Sequence, residues 1–304
     1  MEVLAVHGLP TGFRIGHGSD PGQNTGCTVV LCPEGARGGV SVQGGAPGTR
    51  ETDLLRPECT VDVVHGLFLA GGSAFGLDVG SGMMRYCAQE EIGFPTAFGR
   101  VPIVTGAVIF DLSYGDSKVW PDAQMGYDAC IKAADDNVSR GLVGVGVGAT
   151  VGKVLGFDSV SKTGLGIGSI TYQGVSVVAL VVVNAFGEII SPDSGAILAG
   201  ARDGEGNFVR TRDVIMQGDA VAALGQNTTI GVILTDAKLT KAEATKMAMM
   251  GHDGLARGIT PLHTPYDGDT LFCLASGKVE CDFANLAILA AEAVQAAVID
   301  AASL

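Results

Sequence analysis

Gln226-Asn227-Thr228-Thr229-Ile230 leads into the apolar run Gly231-Val232-Ile233-Leu234, and further along Asp267-Gly268-Asp269 precedes Thr270-Leu271-Phe272-Cys273. Each stretch has an ordinary reading. The first is a strand start with Thr at exposed ladder positions, and the second is a turn before a strand, where Asp-Gly is common. Each also permits chemistry. The Thr228 hydroxyl can attack the carbonyl of Asn227 if that peptide is strained and lies beside an oxyanion donor. Hydrolysis of the resulting ester would leave hydroxyl and α-amine on one residue, a nucleophile with its own base. An α-amine has a reference pKa of about 8, so a modest depression makes it a competent base near neutral pH. Carboxylates at i and i+2 on one side of the chain can orient such a group and tune its pKa. On these residues alone the ordinary readings are the simpler ones.

The 304 residues suffice for one large domain or two small ones. Apolar residues make up 47% and charged residues 17%, too hydrophobic a mixture for disorder. The 46 Gly are about twice the usual usage. They are not periodic, which excludes collagen, and they punctuate apolar runs as tight turns or close approaches. A net charge of −13 argues against a nucleic-acid partner. The longest strongly apolar run, Val177 to Val183, is short of the roughly 20 residues of a membrane span, so no membrane association is expected. Met1-Glu2-Val3-Leu4 shows no secretory signal. Seven scattered Cys without a C-x-x-C speak against a metal site or a disulfide framework and for buried thiols in a reducing cytoplasm.

No linker or repeat divides the chain, so residues 1–304 are read as a single domain. Helices are expected over Ser73 to Gln89, Pro121 to Asp136, Leu239 to Gly258 and Ala284 to Ala301. The third has capping-box spacing in Thr240-Lys241-Ala242-Glu243. Gly26 to Cys32 and Gly39 to Gly44 are read as strands pairing across a Pro33-Glu34-Gly35 turn. Further strands are expected over Val101 to Leu112, Leu165 to Tyr172, Val175 to Asn184, Thr228 to Thr235 and Thr270 to Ser276. Val175 to Val181 has the pattern of a strand buried on both faces. Strands and helices come in runs rather than strict alternation, which predicts an α+β sandwich.

Two Gly-rich segments imitate cofactor loops. Gly144-Val145-Gly146-Val147-Gly148-Ala149 fits a loose G-x-G-x-x-A pattern, but it runs into Val151-Gly152-Lys153 rather than a helix start. Gly164-Leu165-Gly166-Ile167-Gly168-Ser169 is no better, and no cofactor is expected. Among the His residues, His252 is read as structural near a helix end. His263 could reach a site through Thr264-Pro265-Tyr266, but nothing in the spacing demands it, and a conventional Ser–His–Asp triad is weakly supported.

In order and spacing, a set of segments resembles the DmpA-type aminopeptidases, the self-processing N-terminal-nucleophile hydrolases that include nylon-oligomer hydrolases and β-peptidyl aminopeptidases. The segments are Gly71-Gly72-Ser73-Ala74-Phe75-Gly76-Leu77-Asp78, Val101-Pro102-Ile103-Val104, Gly148-Ala149-Thr150-Val151-Gly152-Lys153 and Lys162-Thr163-Gly164-Leu165-Gly166. Val182-Val183-Asn184, Asn227-Thr228-Thr229, His252-Asp253-Gly254-Leu255-Ala256-Arg257 and Asp267-Gly268-Asp269-Thr270 complete the set, which covers nearly the whole chain.

The resemblance implies a four-layer αββα sandwich and cleavage at Asn227–Thr228 into an α-chain of 1–227 and a β-chain of 228–304. Thr228 matches the nucleophile, Asn184 an oxyanion donor, and Asp267 and Asp269 the carboxylate pair of the Thr-type branch. Lys153 matches a site lysine, with Lys162 as second choice. Where the family often has a Tyr this chain has Phe110, and Tyr114 is the nearest substitute hydroxyl. The implied activity is hydrolysis of a small peptide or amide substrate through a Thr acyl-enzyme, without cofactor or metal, in a cytoplasmic homo-oligomer, commonly a tetramer of αβ units. Acyl transfer of the ornithine acetyltransferase type and a non-catalytic small-molecule-binding protein on the same scaffold are the alternatives.

Overall fold

In a computed structural model that describes residues 8–136, 139–220 and 226–304, the run opening at Thr228 is an inner strand of the main sheet system. Met1-Glu2-Val3-Leu4 lies outside the described residues. The sheet strands in chain order are β1 (Arg14–Asp20), β2 (Thr25–Val42), β3 (Thr49–Arg50), β4 (Val64–Ala70) and β5 (Val104–Val108). They continue with β6 (Leu165–Tyr172), β7 (Val175–Asn184), β8 (Thr228–Ala237) and β9 (Thr270–Val279). Their spatial order is β6-β7-β8-β9-β2-β4-β5-β3, with β1 also paired to β2. The β8–β9 and β4–β5 pairs are parallel.

β2 corrects one expectation. The two segments expected to fold against each other across Pro33-Glu34-Gly35 form a single 18-residue strand. Its first half pairs with β1 and β4, while Arg37 to Val42 pairs with β9. A hairpin would strip both halves of these partners. The chain instead absorbs the Pro33-Glu34-Gly35 residues as a register shift against β4 between Leu31 and Ala36, with Gly35 at φ 86°. β2 thereby feeds two stacked layers.

Between the layers lie Leu67, Leu69 and Val30 on one side and Val178, Leu180, Val232 and Phe272 on the other, all buried. On its outer face the β6–β9 layer carries α4 (Lys241–Gly258) and α5 (Phe283–Asp300), through Met247, Leu255, Val294 and Val298 against Val181, Ile233 and Leu271. The other layer carries α1 (Val79–Gln89) and α2 (Ala123–Ile131), through Val79, Met83 and Ala129 against Val29, Phe68 and Val104. This is the αββα sandwich. A further short helix, α3 (Thr211–Gln217), buries only Thr211 and Val214, too little apolar surface to mark it in the sequence.

The Thr240/Glu243 capping box forms, and α4 begins where it predicts. The first expected helix opens instead as a 3-10 turn, Ser73–Asp78, before α1. α5 is long and apolar enough to suit a membrane by length and composition. Its apolar face is spent on β6 and β7: a Cβ at Gly166 would stand 1.9 Å from Ala297 O, and one at Gly168 2.0 Å from Ala293 O. Gly166 and Gly168, from the second of the two Gly-rich segments, are therefore where helix and sheet touch.

Candidate active site

The strand register brings the site together. Asn184, the last residue of β7, stands opposite Thr228, the first of β8. Asn227 bridges in parallel to Asp267, just before β9. A one-residue slip of β8 would turn Ile230, Val232 and Leu234 out of the inter-sheet core, so the apolar alternation that makes the strand also fixes these pairings. Thr228, Asn227, Asn184, Lys153, Asp267 and Asp269 are all buried at this one end of the sheet.

Two donors converge on the carbonyl oxygen of Asn227. The Thr228 hydroxyl donates to it, and the Gly268 N–H donates from 2.9 Å. The Asn227 carbonyl is thus polarised by a side-chain and a main-chain donor at once.

Lys153 is 1% exposed. Its ammonium donates to Asn184 O at 2.7 Å, to Asn184 Oδ1 at 2.9 Å and to Gln226 O at 3.4 Å. Burial pushes its pKa from 10.5 down to about 7, with Asp267 and then Asp111 pulling the other way. Asn184 Oδ1 also accepts from Thr150 N at 3.2 Å, and its Nδ2 donates to Phe110 O at 3.0 Å. With Oδ1 held by Lys153 and Thr150, the orientation of the amide is fixed, and among the described residues Phe110 O is the acceptor shown for its Nδ2.

The two carboxylates differ in surroundings. Asp267 Oδ2 accepts from Thr264 N at 2.7 Å, whereas its Oδ1 is buried with no partner among the described residues. Burial, and then the neighbouring Asp269, push its pKa up, against the pull of Lys153. Asp269 Oδ1 accepts from Thr229 N at 2.6 Å. Its Oδ2 accepts from the main-chain N–H of His263 at 3.0 Å and lies 2.8 Å from His263 Nδ1. His263 is the site residue that sequence reasoning left unassigned. Its signal was its position six residues before Asp269, but the contact depends on His263 holding φ at 55°.

Lys162 is placed elsewhere, on Asn24 Oδ1 at 3.2 Å and over the Tyr114 ring at 4.2 Å. Tyr114 is thus engaged with Lys162, and Phe110 reaches the site through its main-chain carbonyl. A buried carboxylate next in sequence, Asp111, accepts from Thr25 Oγ1 and from Gly72 N, both at 2.7 Å. It ties the Gly71-Gly72 turn to the segment after β5 that carries Phe110.

The family model described as Peptidase family S58 matches residues 6–303. An uncharacterized aminopeptidase of Mycobacterium tuberculosis is 46% identical over 286 residues, 88% of this chain and 80% of that one. A 6-aminohexanoate-oligomer endohydrolase of Kocuria sp. is 33% identical over 84% of this chain and 70% of its own length. Among solved structures, a Burkholderia sp. β-aminopeptidase superposes with a TM-score of 0.71 at 20% identity, covering 96% of this chain and 84% of that one. The L-aminopeptidase D-Ala-esterase/amidase of Ochrobactrum anthropi, described as a variant of the Ntn hydrolase fold, gives 0.69 at 15% identity with the same coverage. The chain belongs to peptidase family S58, and it is a hydrolase acting on amide bonds.

Proposed function

We propose that the chain cuts itself between Asn227 and Thr228 and that the freed Thr228 is the nucleophile of an aminopeptidase-type amidohydrolase. The observation that carries this is the Asn227 carbonyl oxygen, which accepts from both Thr228 Oγ1 and Gly268 N. Attack by the hydroxyl on that carbonyl carbon forms the Thr228 ester as the peptide C–N bond breaks and the proton passes to the departing amine. Water then takes the acyl group and leaves residues 1–227 and 228–304 as two chains.

In the processed enzyme the same hydroxyl attacks a substrate amide, with the new α-amine or Lys153 accepting its proton. The uncommitted N–H of Asn184 is placed to bind the oxyanion, an interaction worth roughly 3–4 kcal/mol when one donor is lost. Asp269 holds the Thr228 end of the strand through Thr229 N, and Asp267, whose Oδ1 has no partner among the described residues, is the carboxyl left to receive a substrate ammonium. Small peptides or peptide-like amides with a free amine are the proposed substrates, in keeping with the aminopeptidases and the oligoamide hydrolase among the relatives. Acyl transfer is not favoured by these relatives. A cytoplasmic assembly of αβ units, commonly a tetramer, completes the reading. The thiols at all seven cysteines agree with a reducing compartment.

Mass spectrometry and N-terminal sequencing of the purified protein test the proposal. The expected result is two fragments with a new terminus at Thr228, and hydrolysis of aminoacyl-p-nitroanilides that Thr228→Ala abolishes together with cleavage. A folded chain that stays intact on long incubation yet hydrolyses these substrates would overturn it.

A further inference from the structure

Behind Asp269 a chain of two imidazoles ends on a main-chain carbonyl. His263 Nδ1 lies 2.8 Å from Asp269 Oδ2, His263 Nε2 lies 3.1 Å from His252 Nδ1, and His252 Nε2 lies 3.1 Å from Ser41 O. The rings meet edge to face, with centroids 4.7 Å apart. His252 is 6% exposed within α4, and Ser41 belongs to β2, so three separate elements define the line.

The chemistry of the last acceptor fixes the protons. A carbonyl oxygen only accepts, so His252 Nε2 carries a hydrogen. Burial lowers the His252 pKa to about 4, so above that pH its Nδ1 is bare and accepts. His263 Nε2 must then carry a hydrogen to donate. At the other end each oxygen of Asp269 accepts a main-chain N–H, Oδ1 from Thr229 and Oδ2 from His263, which favours the ionised carboxylate, and His263 Nδ1 lies 2.8 Å from Oδ2. His263 Nδ1 carries a hydrogen as well.

We propose that His263 is held as an imidazolium ion-paired to Asp269, with His252 fixing its ring, and that the two are positioning residues for the nucleophile strand. The frame works through Asp269 Oδ1, which holds Thr229 N and so sets where Thr228 begins β8. The charged and titratable groups around the line are Asp267 beside Asp269, Lys153 acting on Asp267, and Asp253 next to His252 on α4. With His263 charged, Asp269 stays ionised despite the second carboxylate at its side. Without it, Asp267 and Asp269 would compete to hold one proton between them, as close carboxylate pairs do. The proton placement stands on its own; its effect on turnover rests on the reading of Thr228 as nucleophile.

Histidine-selective 15N NMR of the wild-type protein reads the proton placement. The expected spectrum at neutral pH shows both His263 ring nitrogens protonated and His252 as the Nε2–H form. A bare His263 Nδ1, or His252 in the Nδ1–H form, would overturn the proposal. The same spectrum of Thr228→Ala keeps this readout even if Thr228 proves not to be the nucleophile. For function, His252→Gln retains a donor for Ser41 and an acceptor for His263, whereas His252→Leu retains neither. The acid limb of the kcat–pH profile is expected to move up by roughly one to three units in His252→Leu and to stay in place in His252→Gln. Equal, pH-independent losses in both variants would show a merely structural role and sink the proposal.

Discussion

A Cβ on Gly268 would stand 2.8 Å from Thr228 Oγ1 and 2.9 Å from Ala46 O. The residue between the two aspartates therefore has no room for a side chain while the Thr228 hydroxyl occupies its present place. Its N–H is also the donor to Asn227 O. Gly268→Ala is expected to push the hydroxyl off the Asn227 carbonyl, the proposed cleavage point, and to pull the Gly268 N–H back from it. Self-cleavage should slow by roughly 10²–10³, the range seen when one oxyanion donor is lost. Time-resolved denaturing gels check this, with circular dichroism confirming that the uncleaved chain is folded.

Asn184 separates catalysis from stability. Its Oδ1 holds Lys153 and Thr150, while its Nδ2 is the proposed oxyanion donor. Asn184→Asp keeps an acceptor for Lys153, and even adds charge to it, but loses the donor. The variant also takes the donor from Phe110 O but gains charge at Lys153, so it should melt above Asn184→Leu, with kcat down by roughly 10²–10³. Asn184→Leu instead leaves a buried ammonium short of an acceptor and should destabilise by roughly 1–3 kcal/mol. Thermal melts beside kinetics on one aminoacyl-p-nitroanilide distinguish the two losses.

Lys153 predicts a pH dependence with a definite sign. Burial sets its folded pKa at about 7, below its ordinary 10.5. Between those values the unfolded chain binds the extra proton, so this residue's contribution to stability rises with pH from about 7 towards 10.5 and is constant below 7. Lys153→Met removes the dependence. The melting temperature of wild type relative to Lys153→Met should therefore climb through that window. The neutral amine that appears above about 7 is also a base, so wild-type self-cleavage should accelerate through neutrality while any residual cleavage in Lys153→Met does not.

Legibility in the sequence followed the range of the forces involved. β6 and β7 were bounded correctly because their apolar patterns are local, and the start of α4 was read to within two residues because Thr240 and Glu243, three residues apart, form its capping box. β2 was misread because its two halves are defined by partners distant in sequence, β4 on one side and β9 on the other. β1 and β4 passed unread. Thr228, Asp267 and Asp269 could be singled out from their own residues as chemistry the sequence permits, Asn184 and Lys153 only through family resemblance, and the register of β7 on β8 with the Asn227–Asp267 bridge explains why Thr228, Asn184 and Asp267 meet. The His263–His252 line was invisible, since it needs a left-handed backbone at His263 and a carbonyl from β2.

Phe110 stands where the resemblance led to a Tyr, and its contact with the site is main chain to Asn184 Nδ2. A contact of that kind survives a change of side chain. Phe110→Leu is therefore expected to retain kcat within a few-fold, since about 1.4 kcal/mol would be needed for a tenfold loss. A drop comparable to that of Asn184→Asp would assign the ring itself a place in the chemistry.

Asp111 supplies a test of how the site is braced. Both its oxygens are used, on Gly72 N and Thr25 Oγ1, and burial more than any other influence raises its pKa. A carboxyl whose folded pKa is raised contributes stability fully below its unfolded pKa and loses it as pH rises through the folded value. Acidification should thus favour wild type relative to Asp111→Asn, which has no proton to bind there. Asn still presents an acceptor to Gly72 N, and the Thr25 hydroxyl can turn to accept from its amide, so the turn at Gly71-Gly72 should persist. The measurement is the difference in melting temperature between the two proteins across the acid range, expected to shift in favour of wild type as pH falls. A difference that does not change with pH would mean that the folded and unfolded chains bind this proton alike, and that burial does not raise the Asp111 pKa.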